Sequence, residues 1–76
     1  MKYTRHEKGI KAFGEQLRKI RKAKGFTQEE LAYRADLELS QISRIERGVI
    51  NTSISQVFQI AETLDVNLRD LFDFDY

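Results

Sequence analysis

One stretch constrains this chain more than any other, Phe26 to Gly48, FTQEELAYRADLELSQISRIERG. Its opening carries three start signals at once. Gly25 stops the helix that precedes it, Thr27 offers an N-cap, and Glu30 three residues later completes a capping box. Phe26 before the cap and Leu31 at the fourth helical position suit a hydrophobic staple, which fixes the angle of entry. The pattern predicts a helix from about Gln28 to Ala35, with Leu31, Ala32 and Ala35 on one face and Glu29, Tyr33 and Arg34 toward solvent. After Asp36-Leu37 it predicts a second, from about Leu39 to Arg47, with Ile42 and Ile45 inward and Gly48 as its stop. Helices this short do not stand alone, so other elements must cover them.

The flanks supply that cover. A helix from about Ile10 to Lys24 follows from Ile10, Phe13, Leu17 and Ile20, which recur at helical spacing while the other faces are basic. Residues 1–9 admit two readings. One is a frayed extension opened by a Thr4 and Glu7 capping box, against which Gly9 and Gly14 each cost about 1 kcal/mol relative to alanine. The other is a basic arm that carries Lys2, Arg5 and Lys8 over phosphates. The extension is preferred, and His6, the only histidine, is read as inert. On the other side, Val49-Ile50-Asn51-Thr52 leads to a helix that Ser53 and Gln56 open as a capping box, with Ile54, Val57, Phe58, Ala61 and Leu64 as its buried stripe. Asn67 and Asp70 cap a short fifth helix in which Leu68, Leu71 and Phe72 share a face, and Phe74 and Tyr76 alternate with Asp73 and Asp75 in the tail, residues 73–76. These large apolar groups exceed what a small core covers, which indicates an interface.

A length of 76 residues allows one domain, residues 1–76, with a core of marginal net stability. With no cysteine and no cluster of zinc ligands, neither disulfide nor structural metal compensates, which leaves dimerisation as the staple. There is no paired nucleophile and base and no phosphate loop, so neither an enzyme nor a cofactor is expected. The Glu29-Glu30 pair belongs to a helix start. No apolar run is long enough to cross a bilayer and no signal-peptide segment is present, so a cytoplasmic protein is expected. The net charge of +1 conceals a segregation. Residues 1–25 carry nine Lys/Arg against Glu7 and Glu15, a balance of +7, whereas residues 26–50 stand at −2 and residues 51–76 at −4. A basic end and an acidic end suit a protein that turns one surface to a polyanion.

With Ala32 as the small residue at the helix crossing, Asp36 in the turn, and Ile42 and Ile45 as inward aliphatics, the chain resembles the lambda-repressor-like (Cro/C1, or XRE-type) helix-turn-helix DNA-binding domains. The resemblance runs from about Phe13 to Phe72, through FGEQLRKIRKAKGFTQEELA, ISRIERG and QIAETLDVNLRDLF. It implies an all-α, five-helix domain. Two turns depart from the family pattern, with Asp36 and Asp65 where relatives usually carry glycine. Both sites need the left-handed conformation, which Asp is among the few other residues to tolerate. Glu38 is a weak N-cap, and the loop after the second helix of the motif lacks the proline that relatives often have.

The resemblance also implies roles. Base contacts fall at Leu39, Ser40, Ser43 and Arg44, and phosphate contacts at Gln28 from one side and at Arg47, Asn51 and Thr52 from the other. Arg21 pairs with Glu46, and a partly buried pair is expected. The dimer surface is expected at Leu68, Leu71, Phe72, Phe74 and Tyr76, with part of the fourth helix. The function implied is a sequence-specific transcriptional regulator without a sensor domain, binding a pseudo-palindromic operator as a homodimer. It resembles stand-alone controller proteins of restriction–modification systems and small phage-type repressors. Repression and activation, the latter through contact with RNA polymerase, are left open. The alternative is a helix-turn-helix antitoxin whose tail Asp73-Phe74-Asp75-Tyr76 binds a toxin protein.

Overall fold

In the computed structural model, which describes residues 5–76, the chain forms five helices. They are α1 (Glu7–Ala23), α2 (Gln28–Ala35), α3 (Leu39–Glu46), α4 (Ile54–Leu64) and α5 (Leu68–Leu71). The fold is all-α, and α2 and α3 form the helix-turn-helix. Thr4 and Lys2, named above for a cap and an arm, lie outside the described residues. The N-cap of α1 is His6, whose Nδ1 accepts the Gly9 N–H at 2.9 Å. His6 thus has a structural part, short of a ligand or a catalyst: it satisfies one of the free donors at the helix start, and α1 begins three residues before Ile10.

Local chemistry sets the other boundaries. The α1 helix ends at the left-handed Gly25 (φ 79°), with Phe26 N–H donating to the Arg21 carbonyl and Gly25 N–H to that of Lys22. The capping box of α2 is complete, since Thr27 Oγ1 accepts the Glu30 N–H and Glu30 Oε1 the Thr27 N–H, each at 3.0 Å. Asp36 and Asp65 close α2 and α4 at φ 58° and 55°, the left-handed conformation that the sequence required there. At the start of α3 the Gln41 side-chain Oε1 accepts the Glu38 N–H at 2.9 Å. At α4, Ser53 Oγ accepts the Gln56 N–H, but the Gln56 carboxamide accepts from the Thr52 hydroxyl instead of reaching back to Ser53.

Phe13, Leu17, Leu31, Ile42, Ile45, Val57, Ile60, Leu64 and Leu71 make the core, with Ala32, Ala35 and Ala61 where helices approach closely. The buried stripe of α4 is rotated from the expected one. Ile60 is fully buried, whereas Ile54 is 74% exposed and Phe58 48%. The run ISQVFQIA is apolar around much of the helix, so spacing alone does not pick the inward face. Where α1 crosses α3, Gly14 is buried, and a Cβ built on it would lie 2.3 Å from the Ile45 carbonyl oxygen. Gly14 is thus not a mere cost to the helix. It lets the two backbones meet.

Candidate nucleic-acid interface

The α3 helix is held by one face and by its last residue. Ile42 and Ile45 are buried, and so is the charged residue that follows, Glu46. Its carboxylate receives Arg21 Nε at 2.6 Å and Arg21 Nη2 at 3.0 Å, a two-pronged pairing, and Gln28 Nε2 at 2.9 Å. The remaining Arg21 nitrogen, Nη1, donates to the Phe26 carbonyl at 2.8 Å. This pair is buried more deeply than the sequence suggested, with the Glu46 side chain 2% exposed. Two charges in such a place are tolerable because their hydrogen-bonding groups find partners. The network ties α1, the start of α2 and the end of α3 together at one carboxylate.

The opposite face of α3 is left open. Leu39, Ser40 and Arg44 are exposed and Ser43 is half-buried, so the four residues named for base reading lie on the uncovered side of the helix. Gln41, by contrast, is engaged at the start of its own helix. A shallow depression separates this face from α1 and the start of α2, bordered by Arg18, Gln28, Leu39, Ser43 and Arg47, with Arg21 beneath. The positive end of the α2 dipole opens beside it.

The residues named for phosphate are placed unequally. Gln28 and Arg47 share that depression, so Arg47 groups with Gln28 and not with Asn51 and Thr52. One amide hydrogen of Gln28 is committed to Glu46, which leaves the other and the backbone N–H for an outside acceptor. Asn51 is exposed, and Thr52 is half-buried with its hydroxyl donating to Gln56 at 2.7 Å. Both border a separate apolar groove, between the start of α1 and the C-terminal tail. Arg18 was missed in the sequence, where it read as one more cation on the solvated face of α1. The available signal was its position three residues before Arg21, on the same side of the helix.

The apolar C-terminal surface also needs correction. Leu71 is fully buried in the core of its own chain, so it has no surface to offer a partner. Phe74 is half-buried against the core, while Leu68, Phe72 and Tyr76 are 37%, 53% and 71% exposed. Phe58, which was expected inside, lies beside Leu68. Among the described residues no group of three or more His, Cys, Asp or Glu is arranged to hold a metal, and no helix is long and apolar enough to cross a membrane.

Known proteins share this arrangement. The helix-turn-helix family model HTH_3 matches residues 17–71. The control protein C.BamHI of Bacillus amyloliquefaciens is 43% identical over 63 residues, covering 82% of this chain and 78% of that protein. The crystal structure of the restriction–modification controller protein C.AhdI from Aeromonas hydrophila superposes with a TM-score of 0.81 at 40% identity, over 83% of this chain and 96% of that one. The biofilm master regulator SinR, solved in complex with DNA, superposes with a TM-score of 0.75 at 35% identity, over 80% of this chain and 98% of that one. The chain therefore belongs to the HTH_3, Cro/C1-type helix-turn-helix family of DNA-binding transcriptional regulators.

Proposed function

We propose that this protein is a controller-type regulator that binds a pseudo-palindromic operator as a homodimer, placing α3 of each protomer in the major groove. The observation that carries the reading is the division of α3 into two faces, one locked inward by Ile42, Ile45 and the Glu46 network and the other, with Leu39, Ser40, Ser43 and Arg44, left uncovered. Helix-turn-helix recognition needs that combination, because base edges are read only by a helix whose axis is fixed. Arg44 serves a guanine O6 and N7, Leu39 a thymine methyl, and Ser40 and Ser43 admit several bases. Arg18, Arg47 and Gln28 take phosphate on one side of the groove, with Asn51 and Thr52 farther along.

Dimerisation is supported by the uncovered rings of Phe58 and Phe72 and by the relatives named as controller proteins. One recognition helix spans too few base pairs to define a site, and two-fold pairing places the half-sites about 34 Å apart. The test is selection of duplexes from a random library by the purified chain at low and near-physiological salt. An enriched pseudo-palindrome with guanine and thymine in each half, retained at the higher salt, is expected. Binding confined to low salt, without a motif, would mean charge attraction without reading and would overturn the proposal.

A further inference from the structure

Arg5 precedes the N-cap of α1, yet its guanidinium reaches the segment that leaves α3. Nη2 donates to the Val49 carbonyl at 2.6 Å and, at the longer distance of 3.5 Å, to that of Gly48, while Nε pairs with the Glu7 carboxylate. Those two carbonyls follow directly on the recognition helix. The end of α3 is a left-handed glycine turn, with Val49 N–H donating to the Arg44 carbonyl and Gly48 N–H to that of Ile45. Gly48, at φ 71°, is pressed against α1, since a Cβ on it would stand 2.9 Å from Lys11 Cα. The turn is thus held by backbone contact on one side and by an arginine on the other. The segment it launches carries Asn51 and Thr52.

We infer that Arg5 is a positioning residue for DNA binding, one that fixes the exit of the recognition helix and the Asn51–Thr52 loop without itself touching the phosphates. The inference rests on the DNA-binding reading above. Its physical basis is that a guanidinium presents several donors in a fixed fork and is favoured beside the negative end of a helix dipole. A side chain only 25% exposed and bonded to main-chain carbonyls would have to break those bonds to reach a phosphate. This also changes the meaning of the basic start of the chain. For Arg5, internal attachment replaces the role of a phosphate-binding arm.

The test compares the 76-residue wild type with Arg5→Ala and Arg5→Lys on the duplex selected above, over a range of salt, with thermal melts and backbone amide spectra of each. For Arg5→Ala, affinity is expected to fall about three- to tenfold with the slope of log K against log salt unchanged. Amide shifts should concentrate in Gly48 to Thr52. Arg5→Lys should recover part of the affinity, because a lysine replaces the charge but not the fork. A slope reduced by about one in Arg5→Ala would identify Arg5 as a phosphate contact and overturn the inference. So would unchanged affinity, or amide shifts spread over the whole chain. If Arg5→Ala does not fold, Arg5→Gln, which removes the charge and keeps an amide donor, decides by the same slope and shift criteria. Failure of the wild type to bind any duplex would instead overturn the DNA-binding reading, and this inference with it.

Discussion

Where α1 crosses α3, backbone meets backbone at Gly14 and the buried carboxylate of Glu46 receives three hydrogen bonds. On the surface formed by α4, α5 and the tail, by contrast, Ile54, Phe58, Phe72 and Tyr76 keep about half or more of their surface in water. The crossing is complete within one chain. The C-terminal surface leaves large apolar groups uncovered. Rigidity is needed where a helix must be aimed, and it comes from contacts that tolerate no change of volume or charge. On the proposed dimer reading, the apolar groups left uncovered gain their burial only when the second protomer arrives.

The largest effect is expected at the crossing. Arg21→Met removes one partner of the buried pair and leaves the Glu46 carboxylate with Gln28 alone, so it should cost about 3–5 kcal/mol in a urea melt. A loss below about 1 kcal/mol would mean that the pair behaves as an exposed one, and the contrast between the two regions would collapse. At the open surface, Phe58→Asp should leave the monomer folded, because that ring already stands half in water. It should remove the concentration dependence of the melting temperature and weaken operator binding about 100-fold through loss of two-site attachment. Sedimentation as a dimer after the substitution would move the interface elsewhere.

Gly14→Ala returns to the crossing with a smaller perturbation. The new methyl group must displace the Ile45 carbonyl, and the expected cost is in the upper part of the ~1–3 kcal/mol range for overpacking. The displaced element is the recognition helix, so operator affinity should fall by more than the stability loss accounts for. Equal melting temperatures for Gly14→Ala and wild type would show that the helices can separate at no cost.

The same contrast explains what was legible in the sequence. Capping chemistry is local, and so the limits of α2 and the left-handed turns at Asp36 and Asp65 were readable from residue type. The inward faces of α1 and α3 were readable because their other faces are polar. The α4 helix was not, since Ile54, Val57, Phe58 and Ile60 spread around it and only the position of its neighbours decides which are covered. Gly14 read as a weak helix residue because the carbonyl it makes room for lies more than thirty positions away. Likewise Arg5 acts on a group that its own neighbours in sequence do not define, the exit of α3, whereas the His6 cap is local and was passed over because histidine is not among the preferred capping residues.

The turn between α2 and α3 tests whether any slack remains beside the rigid crossing. Asp36 holds φ 58°, where a Cβ is strained and glycine is not, so Asp36→Gly should stabilise the domain by up to about 1 kcal/mol. The greater freedom of glycine in the unfolded chain opposes this gain and keeps it small. A lower melting temperature would show that the aspartate makes a favourable contribution that outweighs its backbone strain.

The smallest expected effect concerns a group that belongs to neither region, the exposed capping residue Glu30. The Thr27 backbone N–H, then the Thr27 hydroxyl, hold its carboxyl below its ordinary value of 4.5; desolvation opposes them, and Arg34 adds the smallest contribution in their favour. A carboxylate with a lowered folded-state pKa contributes stability above its unfolded value and loses it as pH falls through the folded one. Wild type should therefore melt slightly above Glu30→Gln at pH 7, and the gap should close progressively as pH drops from about 4.5 downward. The comparison is made between the two proteins at each pH, so that effects common to both cancel. A gap that stays constant from neutral to strongly acid pH would show that the charge of Glu30 contributes nothing to the cap, and that the neutral amide serves the Thr27 N–H equally well.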